Sequence, residues 1–114
     1  MDITSTSITT RHNADARRYE LLDDDNVIGK AYYVPFDAAD GPERIFFHTV
    51  VDEAYGGQGL ASRLASFALE DTVATATKIV PVCPYIKAFL RKHDEFAPDV
   101  VAVTPAHLAA LPHR

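Results

Sequence analysis

The sequence predicts an α+β fold built on a mixed sheet, and three observations carry that prediction. Strand-like runs separated by Asp, Asn, Gly and Pro fill the first half of the chain. From Gly59 the apolar residues change to helical spacing. A further apolar run, Lys78 to Cys83, follows that helix. Short turns join the early strands antiparallel, whereas a strand–helix–strand crossover makes its two strands parallel. The predicted order is β-β-β-β-α-β-α with a less regular end.

Each element has a local reason. Ile8 to His12 reads as a short strand, and Arg17 to Leu22 as a second with Tyr19 and Leu21 on one face. Asp23-Asp24-Asp25-Asn26 is turn chemistry, since short polar side chains tolerate left-handed backbone. Val27 to Val34 resumes the strand pattern, so residues 17–34 form a hairpin. Pro35 to Pro42, with Asp, Gly and two prolines, reads as a loop. Arg44 to Val51 is almost continuously apolar, which predicts a central strand buried on both faces. In the helix that follows, Leu60, Leu64, Phe67 and Ala68 share one stripe, and β-branched residues weaken it near Thr72 to Thr77. Pro81 in the next strand points to an edge or a splay. Pro84 suits the first position of a second helix, Tyr85 to His93. Val100 to Val103 reads as a last strand, and Thr104-Pro105 caps a short helix through Leu111.

Composition bounds the function. A length of 114 residues fits a single domain, 1–114. The net charge of −5 argues against nucleic acid or an anionic membrane as main partner. Cys83 is the only cysteine, so no intrachain disulfide forms and a reducing compartment is expected. The first residues show no basic-then-apolar signal, and the apolar stretch Ile79–Ile86 is far short of the ~20 residues that span a bilayer. A cytoplasmic protein is the expectation. The five histidines have no metal-ligand spacing, so no metal site is predicted.

The segment His48 to Leu64 holds the chemistry: a strand-like run ends at Asp52, a glycine turn follows, and a helix starts at once. Free amides of the turn and first helical turn, with the positive end of the helix dipole, suit a phosphate or pyrophosphate. Gly56, Gly57 and Gly59 allow a ligand to approach the main chain.

That arrangement resembles the GNAT superfamily of acyl-CoA N-acyltransferases, whose pyrophosphate motif is Q/R-x-x-G-x-G/A. The matching window is Gly56-Gly57-Gln58-Gly59-Leu60-Ala61. Gly56 stands where the family has Gln or Arg, a departure from the motif that implies phosphate contact through the backbone amides without that side chain. The likeness extends from about Tyr19 to Phe96, is closest to compact members lacking the early helices, and includes His48-Thr49-x-Val51 and Val82-Cys83-Pro84-Tyr85. It implies an acetyl-CoA site between two splayed strands, the one with Thr49, Val50 and Val51 and the one with Val80 to Cys83. The diphosphate would lie over the amides of Gly57 to Ala61.

The resemblance further implies an N-acetyltransferase acting by direct attack of an amine on the thioester. The acceptor would be a small molecule or a protein amine. The Val50 or Val51 amide would polarise the carbonyl, and Tyr85 would be either the acid toward sulfur or an aromatic packing over the strands. Cys83 reads as a buried apolar residue, a pocket wall or a nucleophile. His48 reads as a hydrogen-bonded structural residue or as a base near the acceptor. Asp52 and Glu53 would draw in a cationic amine or simply form a solvated turn. Arg63, one turn into the helix, would reach a phosphate or point to solvent, and Lys87, Arg91 and Lys92 are candidates for the 3′-phosphate by charge. The acidic balance would suit a polyamine or an exposed lysine as acceptor. Two other classes compete: a CoA or acyl-CoA binding module without catalysis, and an interaction domain that keeps only the fold.

Overall fold

The computed structural model describes residues 8–112. Five strands lie side by side in chain order: β1 (Ile8–Asn13), β2 (Arg18–Asp23), β3 (Asn26–Ala38), β4 (Gly41–Val51) and β5 (Lys78–Pro81). All neighbours are antiparallel except β4 and β5, which are parallel. Helix α1 (Leu60–Ala74) makes the crossover between those two, and α2 (Pro84–Arg91) follows β5. A 3-10 segment, Asp94–Asp99, then leads to the short α3 (Pro105–Ala109). No helix among the described residues is long and apolar enough to cross a membrane. The predicted mixed α+β class is the one observed.

One face of the sheet packs on α1. Tyr19, Leu21, Ala31, Tyr33 and Phe46 meet Leu64, Ala65, Ala68 and Leu69, all buried. The alanines let the helix lie close to the strands, and each leucine buried there stabilises the fold by about 1.5–3 kcal/mol.

Three expectations need correction. Residues 35–42 are not a loop: β3 and β4 pair down to Ala38 and Gly41, with only Ala39 and Asp40 turning between them. Pro35 is tolerated because Tyr33 N–H bonds to the Arg17 carbonyl on the β2 side, and two residues further the proline nitrogen faces that side beyond the start of β2. Residues 100–103 are not a strand. They make a single parallel bridge, Val100 with Ile79, and one bond from Val101 N–H to the Ile79 carbonyl at 2.8 Å. Finally, β4 is buried on both faces only as far as Phe46, since His48 and Val50 are exposed.

Two polar networks fix the sheet. The Glu20 carboxylate, fully buried, accepts bonds from Arg11, Asn13 and Arg18. Burial works to raise its pKa, but the three hydrogen bonds prevail and hold it at about 2. In the second, Thr104 N–H donates to His107 Nδ1 at 3.0 Å, which leaves the proton on Nε2 for Glu43 at 2.7 Å. That buried pair fastens α3 to the start of β4.

Candidate active site

The site begins with an irregularity in β4. Tyr32 pairs with His48 and Tyr33 with Phe46, so Phe47 is an extra residue, a β-bulge. Parallel pairing with β5 covers only Glu43 to Phe46. The Phe46 carbonyl then accepts from both Val82 and Cys83 N–H, at 3.0 and 2.8 Å, and the strands part. Beyond that point the β5 edge of β4 has no neighbouring strand among the described residues. Asp52 N–H donates to Ile28 on the β3 side at 2.8 Å. Strand alternation therefore turns the Val51 and Thr49 amides toward the gap and the Val50 amide toward β3.

At the mouth of the gap the chain makes a 3-10 turn, Glu53–Tyr55, tied down by a hydrogen bond from the Tyr55 hydroxyl to Asp23. Gly56 is extended with φ −65°, whereas Gly57 and Gly59 are left-handed at +78° and +72°. A Cβ at either would meet nothing within 4 Å, so these glycines are required by backbone conformation rather than space. Gly59 caps α1 without any side-chain hydrogen bond, and the first helical bond is Arg63 N–H to the Gly59 carbonyl at 3.2 Å. The amides of Leu60, Ala61 and Ser62 precede that bond and are free for an anion, and Gln58 is exposed beside them.

Cys83 and Tyr85 close the other side. The buried Cys83 thiol lies 3.5 Å from Thr49 Oγ1, across the gap. Tyr85, half-buried on α2, packs on the core. Burial raises its pKa, opposed by a hydrogen bond with Ser62 of α1, so its phenol is protonated at neutral pH. The structure thus gathers Thr49, Val51, Cys83, Tyr85 and the segment Gly56 to Ala61. It does not bring the other candidates there. Arg63 donates to the Ile8 carbonyl at 3.0 Å. Lys87 and Arg91 line a hollow with Pro81, Leu90, Ala97 and Val100. His48 and Val50 occupy the opposite sheet face, in a groove of about 640 Å³ with Tyr32, Phe47 and Pro112. The sequence reading missed the Phe47 bulge, the Tyr55–Asp23 tie and Ser62. Only the splay had a sequence signal, in Pro81.

An open β4 edge beside an uncapped, glycine-led helix defines the GNAT class of fold. The profile of GCN5-related N-acetyl-transferases matches residues 18–100, and the chain belongs to that family. A GCN5-like protein from Staphylococcus aureus, itself a predicted N-acetyltransferase, has an NMR structure that superposes with TM-score 0.62 at 21% identity, over 90% of this chain and 96% of that one. The crystal structure of a transcriptional regulator from Bacillus halodurans superposes with TM-score 0.51 at 15% identity, over 85% of this chain and 65% of that one. At these identities the likeness speaks for the fold alone. No curated protein matches the sequence.

Proposed function

We propose that this chain is an N-acetyltransferase that uses acetyl-CoA and an amine acceptor. The observation carrying this reading is the pairing of a released β4 edge with the free amides of Leu60, Ala61 and Ser62 at its mouth. The residues suit the cofactor's chemistry: amides and left-handed glycines for a diphosphate, and strand edge groups of Thr49 and Val51 for an amide-bearing arm. Acetyl-CoA, when bound, supplies a thioester carbon to which a neutral amine bonds as the C–S bond breaks, nitrogen losing a proton and sulfur gaining one.

The chain's own residues have separate tasks. The Val51 amide, turned into the gap, is a donor for the carbonyl oxygen as negative charge develops. Tyr85 holds the proton for the departing sulfur, and its raised pKa keeps that proton in place. An amine approaching from the sheet face opposite α1 would meet His48, exposed in the groove there, as the group that takes its proton. Cys83 walls the gap against Thr49.

The test is calorimetric titration of acetyl-CoA into wild type and Gly59→Trp, followed by acetylation assays with amines. Binding lost in a folded Gly59→Trp, with turnover in the wild type, is the expected result. Tyr85→Phe should lower kcat by about 10² while acetyl-CoA affinity holds. Binding without turnover would leave a CoA-binding module, and no binding would leave an interaction domain.

A further inference from the structure

The sheet face opposite α1 has a charge that the chain-wide balance conceals. Two rows of partners cross it next to the bulge: Arg11, Glu20, Lys30 and Val50, then Asn13, Arg18, Tyr32 and His48. Glu20 is the one carboxylate in those rows, and it is matched by two arginines. Arg18 sits 5.8 Å from the centre of the Tyr32 ring, and His48 stacks on the same ring at 5.9 Å. Lys30 makes no ion pair among the described residues. The next carboxylate along this face is Asp52, directly after β4, where its amide bonds to the Ile28 carbonyl outside the two rows. Between them Phe47 and Val50, the latter 43% exposed, offer an apolar floor.

We infer that the acceptor is a small amine carrying a carboxylate beside an apolar or aromatic body. This rests on the acetyl-transfer reading above. The body lies against Tyr32, Phe47 and Val50, the carboxylate faces Lys30 with Arg18 behind it, and the amine is left at His48, next to the gap. The two rows carry Arg11, Arg18 and Lys30 against Glu20 alone, a net positive charge that disfavours a second ammonium within them. Cationic substrates fit the net charge of the whole chain but not the charge of the two rows beside which this acceptor would lie.

The test compares phenylalanine with phenethylamine, which differ only by the carboxylate, and adds spermidine and O-phosphoethanolamine. Acetyl-CoA binding is followed separately by calorimetry. The kcat/KM of phenylalanine should exceed that of phenethylamine by about tenfold, as expected for a hydrogen-bonded charge. Lys30→Gln should bring that ratio close to one, and Lys30→Arg should restore it. Phenethylamine, spermidine or O-phosphoethanolamine ahead of phenylalanine overturns the inference. So does a ratio unmoved by Lys30→Gln, or a protein that binds acetyl-CoA and acetylates none of the four. Failure to bind acetyl-CoA is a different result, since it removes the transferase reading itself.

Discussion

The two ends of helix α1 face the same sheet and treat polar groups in opposite ways. At its closing end Tyr19 donates to Asp71 at 2.7 Å while Arg44 donates to the Tyr19 hydroxyl and to Thr72. His12 stacks on Tyr19 at 4.3 Å and shares a hydrogen bond with Tyr33. Every polar side chain in that cluster has a partner within the chain. At its opening end the amides of Leu60, Ala61 and Ser62 have none from a capping side chain, and two glycines hold backbone that other residues resist. Groups satisfied internally hold the fold; groups kept unsatisfied are available to a ligand.

Breaking the closing end should have the largest effect on stability. Arg44→Met removes the cation beside Asp71 and the donor to Thr72 and the Tyr19 hydroxyl, while Asp71 keeps its bond from Tyr19, and should cost about 2 kcal/mol. Thermal unfolding should show a melting point lower by roughly 10 °C or more, while acetyl-CoA affinity of the folded protein stays put. A variant that melts normally but loses affinity would erase the distinction between the ends.

Breaking the opening end should do the reverse. Gly57→Val forces a β-branched residue to φ +78°, at a backbone cost of about 1–2 kcal/mol. Its main effect should be at least about a tenfold rise in the acetyl-CoA dissociation constant. Wild-type affinity there would remove the turn from the binding site.

A smaller effect sharpens the account of the closing end. Burial, then the charge of Arg44, lower the His12 pKa, and Asp71 only partly opposes them. The folded value lies below the unfolded one, so the neutral ring's contribution is present above about 6.5 and is lost as pH falls through the folded value. Denaturant titrations should show stability declining below that pH, and less so in His12→Asn. An identical slope in both would exclude His12 as the source.

The smallest effect should come from Gly56→Arg. Its φ of −65° accepts any residue, and a Cβ would stand 3.3 Å from the Glu53 carbonyl, a tight but relievable contact. An arginine supplies the side chain the family motif has there and should tighten acetyl-CoA binding about two- to fivefold, with little change in melting point. Weaker binding would mean that the backbone alone shapes this turn.

The legible parts of the sequence were those with local causes. The helical stripe from Leu60, the glycine turn, Pro84 at a helix start and Thr104 as a cap all depend on neighbours in the chain. The illegible parts depend on distant partners. Pro35 looks like a strand breaker unless one knows that β2 starts beside Tyr33 and leaves that edge bare. The Phe47 extra residue is invisible because Ile45, Phe46 and Phe47 are all apolar, so alternation does not show which of them is extra. His107 resembled any scattered histidine, yet its position three after Thr104 lets one ring nitrogen close the cap and the other meet Glu43, 64 residues away. Of the candidate site, the glycine turn and the open edge at Thr49 and Val51 had local sequence signals; the charged sheet face did not, because its charges come from three separate strands.

Because the strands are ordered in space as they are in sequence, the order of assembly is constrained. The β1 to β4 meander closes through short turns, each with a small loop entropy, and its strand pairing involves nothing downstream of Val51. Docking β5 is the one strand pairing that must bring together partners as far apart as Glu43 and Lys78. As the polypeptide emerges during synthesis, the meander can therefore form early, whereas the cleft between β4 and β5 exists only after the crossover has closed. The cleft is thus the last feature that strand pairing builds.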